Sequence, residues 1–518
     1  MRLSRFQGYP GMIPSRAIVA GLALLASSAA QAADPAPATA RLALAERLSW
    51  GPRGDEPGMP SGDPVTALAV PINAPLPPAA AQMIAAMPIS QKPMPALVMD
   101  MVDRRRQINT ITDPDARAAA DKAWQSDMGD FYRQVVTRDI LRQLYSPAQL
   151  GEQLTWFWAN HFSIHAQKRE IRAMLGGWDD TLRAHALGKF RDLLAATVVQ
   201  PAMLQYLDND QNAAGHINEN YAREIMELHT LGLESGGLES GGAGSAYSQK
   251  DVQELARVLT GVGVNFKREA PPRLGNLQSQ YVRDGVFEFN PRRHDYGDKQ
   301  FLGHTIHGRG LAELDEAITI LSRHPATAHF VSKKLAMFFV GDSPSPQIVD
   351  SMAQTYLSTD GDIKAVLSTL FNSPEFAASL GKQFKDPQHY VFSALRLAYD
   401  DRPILNTQPV IGWLNRLGQP RYGHLTPDGY PLTSAAWDSP GQMTTRFEIA
   451  KSIGNGSAGL FRQDNGVDLP GFPQLSNKLY FTYLQAMLSP NTLNSLSQAN
   501  SPQEWNTLLL ASPEMMHR

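Results

Sequence analysis

The stretch Asn218-Glu-Asn-Tyr-Ala-Arg-Glu-Ile-Met-Glu-Leu-His-Thr-Leu-Gly232 places two asparagines, an arginine, three glutamates and a histidine on one short segment. Its apolar residues recur at the spacing of an α-helix, which predicts a helix over residues 218–231. Gly232 suits the C-cap that would end it. Because a helix needs fewer ionisable side chains than this for folding, we interpret the stretch as a candidate functional helix.

One face of this predicted helix carries the acids. At about 100° per residue, Asn220, Glu224 and Glu227 lie within about 60° of one another, with Arg223 at their edge, while His229 points away. This face fits a carboxylate pair for acid–base or metal chemistry, with Arg223 fixing one carboxylate. It equally fits a solvated polar face with an Arg223–Glu227 pair at i,i+4, worth a few tenths of a kcal/mol.

Around this stretch, the hydrophobic pattern is mainly that of amphipathic helices, and no strand–helix alternation indicates a doubly wound sheet. Residues 286–289 and 299–302 are predicted as short strands joined by a loop. The fold class is therefore mainly α, a single large helical domain with a small β-hairpin and a Pro-rich N-terminal arm. The predicted helices span residues 42–50, 116–144, 147–162, 182–199, 249–260, 311–323, 326–340, 346–357, 363–371, 387–400, 408–417, 443–453 and 475–486.

The N-terminal residues are typical of a secretory signal. Arg2, Arg5 and Arg16 precede an apolar run over residues 17–30, and residues 30–32 (Ala-Gln-Ala) fit the cleavage rule. An uncleaved anchor is the alternative. We predict a signal peptide over 1–32, an Ala/Pro-rich linker and arm over 33–95 and a helical domain over 96–518. The expected location is periplasmic or secreted by the general route, with no membrane span after signal removal.

Composition excludes several classes of function. The 518 residues include 47 Lys and Arg against 50 Asp and Glu, a net charge of −3. This balance does not indicate the basic surface that binds nucleic acid. Cys is absent, so disulfides, iron–sulfur clusters, thiol nucleophiles and Cys-bound zinc are excluded. A divalent metal would need His, Asp or Glu ligands, and the chain has 13 His.

Two further segments carry candidate site residues. Trp156-Phe-Trp-Ala-Asn-His-Phe-Ser-Ile-His165 places two histidines at i,i+4, a spacing that suits either one metal ion or two core histidines in an aromatic cluster. Arg293-His-Asp-Tyr-Gly-Asp-Lys-Gln-Phe-Leu-Gly303 places His294 beside Asp295 in a loop, as a general base or as a simple Asx-turn. Lys299 lies close enough in sequence to bind an anionic group.

Several of these motifs resemble the bacterial domain-of-unknown-function 1800 family. The resemblance rests on the stretch 218–232 and covers about residues 42 to 455. The further motifs that carry it are Leu48-Ser-Trp-Gly-Pro-Arg53, Trp158-Ala-Asn-His-Phe162, Tyr247-Ser-Gln-Lys-Asp-Val252, Ala256-Arg-Val-Leu-Thr-Gly261, His294-Asp295 with Lys299, Phe301-Leu-Gly303, His324-Pro-Ala-Thr327, Lys334-Leu335, Leu417-Gly-Gln419, Pro427-Asp-Gly-Tyr430, Trp437 and Arg446.

The resemblance implies an exported bacterial protein of no established reaction. It implies as partner a protein of the domain-of-unknown-function 1501 type, a family similar to sulfatases or phosphatases in fold. It also favours a functional reading of the residues on the family's signature positions. The tandem Leu233-Glu-Ser-Gly-Gly and Leu238-Glu-Ser-Gly-Gly departs from the family pattern, but only lengthens a loop.

Two hypotheses follow. In the first, the protein is a metal- or carboxylate-dependent, hydrolase-like enzyme acting on an envelope or extracellular polymer, and the three segments converge on one polar cleft. In the second, it is a non-catalytic binding or assembly protein, and the same residues are buried ion pairs that specify helix packing. For the enzyme, the predicted catalytic residues are Glu224, Glu227, His294 and Asp295, the substrate-binding residues Asn160, Asn220, Arg223 and Lys299, and the metal ligands His161 and Glu224.

Overall fold

Short sequence signals start many of the helices. In a recurring pattern, the side chain of an Asp or Ser accepts a hydrogen bond from the backbone of the first helical turn, and a Pro follows it directly. Pro is favoured there because the first N–H groups of a helix have no intrahelical partner. The pairs are Asp113-Pro114, Ser345-Pro346, Ser373-Pro374, Asp386-Pro387, Ser439-Pro440, Ser489-Pro490 and Ser501-Pro502.

The structure is a computed structural model that describes residues 38–53, 63–233, 246–269, 273–463, 466–467 and 469–518. The predicted signal and the duplicated Leu-Glu-Ser-Gly-Gly segment beyond Leu233 lie outside the described residues. The α-helices of the described part are α1 Ala38–Leu48, α2 Pro78–Ala85, α3 Pro88–Gln91, α4 Met94–Thr110, α5 Pro114–Tyr145, α6 Gln149–His161, α7 Ile171–His185, α8 Phe190–Val198, α9 Pro201–Tyr206, α10 Asn220–Glu224, α11 Gln249–Val258, α12 Ala312–Arg323, α13 Pro325–Phe339, α14 Pro346–Ser358, α15 Ile363–Phe371, α16 Pro374–Ser379, α17 Pro387–Tyr399, α18 Gln408–Arg416, α19 Pro440–Gly454, α20 Pro490–Ser497 and α21 Pro502–Leu510.

Five short strands form two separate antiparallel sheets. They are β1 Val262–Val264, β2 Val282–Asp284, β3 Phe287–Phe289, β4 Lys299–Phe301 and β5 His304–Ile306. Strand β3 lies between β1 and β2, with Val262 opposite Phe289, whereas β4 pairs with β5, with Lys299 opposite Ile306. The mainly helical class is confirmed, and both predicted strand segments are present. Each pairs with a different neighbour, so the loop between them joins two sheets.

Outside the stretch 218–232, two predicted helices differ from the structure. The predicted helix 182–199 is divided between α7 and α8, because residues 188–190 pair with the turn before α15. Phe190 N donates to Gly361 O at 2.9 Å, and Ile363 N donates to Gly188 O at 3.1 Å. The predicted helix 475–486 is a π-helical turn at Tyr480–Leu484 followed by a 3-10 turn at Gln485–Met487. Both breaks depend on packing that the hydrophobic period does not encode.

The core is built from the apolar faces of these helices. The described residues, from Ala38 onward, form one compact unit. Large side chains such as Trp50, Trp158 and Trp178 are fully buried, and burial of each stabilises the fold by a few kcal/mol. Among the described residues, no helix is both long and apolar enough to cross a membrane.

Gly51, in the turn after α1, packs directly against this core. It has φ of +108°, and a Cβ there would lie 2.6 Å from Ser393 Cβ, so only glycine fits. Arg396 Nε donates to Gly51 O at 2.8 Å, which ties the turn after α1 to α17. The predicted helix over residues 42–50 is therefore present as α1, and its C-terminal turn is part of the core.

Candidate functional site

The helix of the stretch 218–232 changes its winding in the middle. Helix α10 ends at Glu224 and continues as a π-helical turn, Ile225–Thr230. Leu231 N donates to Met226 O at 2.8 Å, and Thr230 Oγ1 donates to Ile225 O at 2.7 Å. The predicted regular α-helix over 218–231 is thus wrong in its second half. A π turn adds one residue per turn, and such turns occur frequently at functional sites.

Glu224 lies at the junction of the α-helical and π-helical turns. It is half-buried, and burial, followed by the charges of Glu227 and Asp428, raises its pKa to about 7. Arg223 opposes this rise without cancelling it. Among the described residues, no side chain or backbone group forms a hydrogen bond or ion pair with the Glu224 carboxyl. The group is therefore held near its titration point at neutral pH with its oxygens uncommitted.

Glu227, which lies within the π turn, is held by two neighbours. Arg223 Nη1 lies 3.6 Å from Glu227 Oε1, which matches the predicted i,i+4 pair, and Tyr247 forms a side-chain hydrogen bond with Glu227. Burial raises the pKa of Glu227, while Arg223 and Tyr247 act in the opposite direction. Arg223 also pairs with Glu219 at 3.2 Å. The two carboxyls therefore differ in environment, because Glu227 has hydrogen-bond and ion-pair partners and Glu224 has none among the described residues.

Asn220 begins the helix and is used to anchor it. Its side-chain Nδ2 donates to Leu207 O at 3.1 Å, and its backbone N donates to Asn218 Oδ1 at 3.0 Å. Asn218 Nδ2 in turn donates to Asp208 O at 3.1 Å. These contacts fix the start of α10 against the end of α9, and so place Glu224 and Glu227.

Asn160, at the end of α6, fixes a loop that reaches the acids. Its Nδ2 donates to Tyr430 O at 2.9 Å, and Tyr430 N donates to Asn160 Oδ1 at 2.7 Å. Gly429 has φ of +76°, and a Cβ there would lie 2.2 Å from Asn160 O, so the loop approaches α6 as closely as glycine allows. The result is that Asp428 lies near enough to Glu224 to raise its pKa.

Lys334 of α13 lies near Asp428, and sequence reasoning did not assign it a role. Burial lowers its pKa to about 8, and Asp428 partly opposes this. Its Nζ lies 5.5 Å from the centroid of the Phe330 ring. Among the described residues, no carboxylate lies within ion-pair distance of Lys334. A lysine between the apolar positions of a strongly hydrophobic helix was the signal that could have identified it.

His161 lies beside Lys334 but is turned into the core. Its Nε2 donates to His229 O at 3.0 Å, and the two imidazole centroids are 6.0 Å apart. Burial, with Lys334 and His229 adding to it, lowers the pKa of His161 well below its usual value. His161 Nδ1 and His229 Nε2 are buried without hydrogen-bond partners. Both rings are therefore neutral at pH 7.

The sequence predicted His161 and Glu224 as ligands of one metal ion. Three protein ligands are the usual minimum for a catalytic zinc ion. Among the described residues, no group of three or more His, Asp or Glu side chains is placed to hold a metal ion. His161 Nε2 is already engaged by His229 O. The residues present do not fit the His161–Glu224 metal centre that the sequence suggested.

His294 and Lys299 lie in a second polar cluster, whose centre is Glu313 of α12. His294 Nε2 contacts Glu313 Oε1 at 2.9 Å, and Nδ1 donates to Thr260 O at 2.8 Å. Lys299 Nζ donates to Glu313 Oε2 and to Asp295 O. The side chains of all three are 0% exposed. Burial would raise the pKa of Glu313, but the hydrogen bonds from His294 and Lys299 hold it below its usual value.

Asp295 is half-exposed and committed to Arg257. The two form a bidentate pair at 2.8 and 3.1 Å, and this hydrogen bonding holds the pKa of Asp295 below its usual value. Among the described residues, no hydrogen bond or ion pair joins His294, Asp295 or Lys299 to Glu224 or Glu227. The structure therefore brings Glu224, Glu227 and Arg223 together, with Asn160 and Asn220 as their supports, and forms a separate cluster from the loop residues.

Fold and site together define a mainly helical protein with an uncommitted carboxyl directly before a π-helical turn. The family model described as "Protein of unknown function (DUF1800)" matches residues 30–517, nearly the whole chain. The chain belongs to this family, which confirms the resemblance seen in its motifs. No curated protein and no solved structure matched the chain.

Proposed function

We propose that the protein is an enzyme that uses Glu224 as its acid–base group in a hydrolase-like reaction. The observation that carries this proposal is the state of the Glu224 carboxyl: its pKa is raised to about 7, and no described residue engages it. A general acid works best when its pKa is near the operating pH. Carboxyls buried only to complete a fold are normally paired or hydrogen-bonded.

Two neighbouring carboxyls in different environments can divide the work of hydrolysis. Glu224, which is half protonated near pH 7, donates its proton to the leaving oxygen as the scissile bond breaks. Glu227, whose carboxylate pairs with Arg223 and Tyr247, accepts a proton from the attacking water, whose hydroxyl forms the new bond. One water is consumed, and the two products carry its hydrogen and hydroxyl.

Two cations suit an acidic substrate: Arg223 beside Glu227, and Lys334 near Asp428. Lys334 has no carboxylate partner among the described residues, and Arg223 Nη1 is buried without a hydrogen-bond partner. Either can hold an anionic group of a ligand. Lys299, which the sequence suggested for this role, is bound inside the protein by Glu313. The substrate-binding part of the proposal therefore rests on Arg223 and Lys334.

The substrate class follows from the expected location. The signal-like N-terminus favours an exported protein. We infer that the substrate is an envelope or extracellular polymer with acidic groups. A periplasmic or secreted enzyme of this kind would meet such polymers directly.

The test is polymer hydrolysis by the purified mature protein. Isolated cell-wall peptidoglycan and acidic exopolysaccharides are incubated with wild type, Glu224→Gln, Glu227→Gln and the control Glu448→Gln, whose side chain is exposed on α19. Chromatography measures the released fragments. We expect Glu224→Gln to reduce the rate by about a hundredfold or more, while the control retains it. The wild-type rate should fall above about pH 7 as Glu224 loses its proton.

Equal rates for wild type and Glu224→Gln would contradict the acid–base role. Wild-type protein that releases nothing from any of these polymers would contradict the proposed substrate class.

The alternative function is a non-catalytic binding or assembly protein that partners a protein of the 1501 type. One observation favours it: His294, Lys299 and Glu313 are wholly internal and satisfy one another, as residues that specify packing do. Leu425, 74% exposed on the loop that carries Asp428, would be available to a partner. Under this alternative, Leu425→Asp abolishes binding of the 1501-type protein in a pull-down, and Glu224→Gln leaves it intact.

A further inference from the structure

A polar cavity whose lining does not include Glu224 lies between the turn that joins α3 to α4 and the helices α5 and α7. Its volume is about 520 Å³, which lies in the range of pockets that hold small molecules. Gly177 lets the start of α4 approach α7, since a Cβ there would lie 3.2 Å from Met94 Cε. The lining residues that carry charge are Lys92, Arg138, Arg172 and Asp180.

The charge of this lining is positive. Three cations face one carboxylate, a formal excess of two positive charges, in a chain whose net charge is −3. Arg138 is already neutralised, because it pairs with Asp179 at 3.3 Å and with Asp180 at 3.1 Å. Lys92 is 61% exposed and lies 3.7 Å from Asp100, a weak surface pair. The excess therefore resides mainly on Arg172.

Arg172 is a buried guanidinium without an acidic partner. It is 8% exposed, and its Nη2 donates to Gln125 Oε1 at 2.6 Å. Its Nε is buried without a hydrogen-bond partner. Among the described residues, no carboxylate lies within ion-pair distance of it. The Trp124 ring, at 6.0 Å, supports the cation from one side.

An unpaired buried charge is costly, and proteins normally compensate it with a counter-charge. Burial lowers the pKa of Arg172, which is consistent with this lack of compensation. An anion in the cavity would supply the missing partner. The planar fork of guanidinium N–H groups suits two oxygens of a phosphate or carboxylate.

We infer that this cavity binds a small molecule through a phosphate or carboxylate group, held by Arg172 and closed over by Lys92. The rest of the ligand would lie against Ile89, Met94 and Leu97, which also line the cavity. This inference is independent of the acid–base role of Glu224, because none of the residues that carry it belongs to that cluster.

Isothermal titration calorimetry tests the inference. The probes are glucose 6-phosphate and glucuronate, with inorganic phosphate to separate a bare anion from a phosphorylated sugar and glucose as the neutral control. We expect at least one sugar anion to bind and glucose not to. Arg172→Gln should weaken binding by about tenfold or more, which is about 1.4 kcal/mol. Arg104→Gln, which removes a paired arginine from α4, should not weaken it.

A second variant guards against misfolding, since Arg172 also packs on Trp124 and Gln125. Lys92→Gln changes an exposed side chain, and we expect it to weaken binding by about threefold at low salt and to leave the melting temperature unchanged. Wild-type protein that binds neither sugar anion at millimolar concentration would overturn the inference. Equal affinities of wild type and a folded Arg172→Gln would also overturn it.

Discussion

The Glu224 region and the Glu313 region use the same kinds of side chain to opposite ends. Around Glu313, His294 contacts one carboxylate oxygen and Lys299 contacts the other, and all three side chains are 0% exposed. Around Glu224, the carboxyl is half-buried, no described residue engages it and its pKa is raised to about 7. The difference teaches that the partners of an ionisable residue, more than its type, separate a structural role from a chemical one.

The largest effect is expected from breaking the satisfied cluster. Lys299→Met removes the lysine that pairs with the buried Glu313 carboxylate, and we expect the free energy of unfolding to fall by about 3–5 kcal/mol. Urea unfolding monitored by circular dichroism measures it. The matched control is Lys250→Met on the exposed face of α11, which should change stability by less than about 0.5 kcal/mol. A loss below about 1 kcal/mol for Lys299→Met would mean that the cluster is not structural.

The next effect concerns the two buried imidazoles beside Lys334. The folded pKa of His161 is well below its usual value of 6.5, so the unfolded state binds its proton first as pH falls. The stability it contributes is present above about pH 6.5 and is lost at lower pH, by about 1.4 kcal/mol per pH unit. His161→Phe should be less stable at pH 7.5 by about 1–2 kcal/mol, from the lost bond to His229 O.

The difference between wild type and His161→Phe should then shrink between pH 6.5 and 5. Urea unfolding at several pH values measures this. The exposed His329→Phe on α13 is the control, and it should follow wild type at every pH. A difference that stays constant with pH would show that His161 titrates alike in both states.

A smaller effect of opposite sign is expected at Glu224. Its folded pKa, about 7, lies above the usual value of 4.5, so stability is highest below about pH 4.5 and is lost as pH rises to 7. Because the side chain is partly exposed, we expect this loss to be about 1–2 kcal/mol. Glu224→Gln should remove it and so be more stable than wild type at pH 8. Thermal melts from pH 5 to 8 would refute the comparison if the variant were less stable throughout.

The smallest effect is expected at Ser248, which caps α11, the helix that contacts both clusters. Ser248 and Asp251 form a capping box in which each side chain bonds the backbone of the other. Ser248→Ala should cost about 1 kcal/mol. Hydrogen exchange would localise the loss to the first turn of α11. An unchanged exchange rate there would show that the capping hydrogen bonds stabilise the helix no more than hydrogen bonds to water would.

Helix starts and short-range ion pairs could be predicted from the sequence because they depend on interactions between neighbouring residues. The capping box at Ser248, the Pro-initiated helices and the bounds of α15 follow from side chains within a few residues. The Arg223–Glu227 pair follows from i,i+4 spacing. Glu224 and Glu227 could be identified as candidates in the same way, since density of ionisable groups on one segment is a property of sequence.

The sequence by itself determined the helical class, the absence of thiol chemistry and the helix that carries the acids. Only the tertiary structure decided which charges meet. Glu313 lies far in sequence from Thr260, and Lys334 and Asp428 approach the Glu224 helix from distant elements, so no spacing rule could pair them. The π turn at Ile225–Thr230 was likewise set by packing. The physical reason is that burial and charge, which set a pKa, depend on neighbours brought by folding.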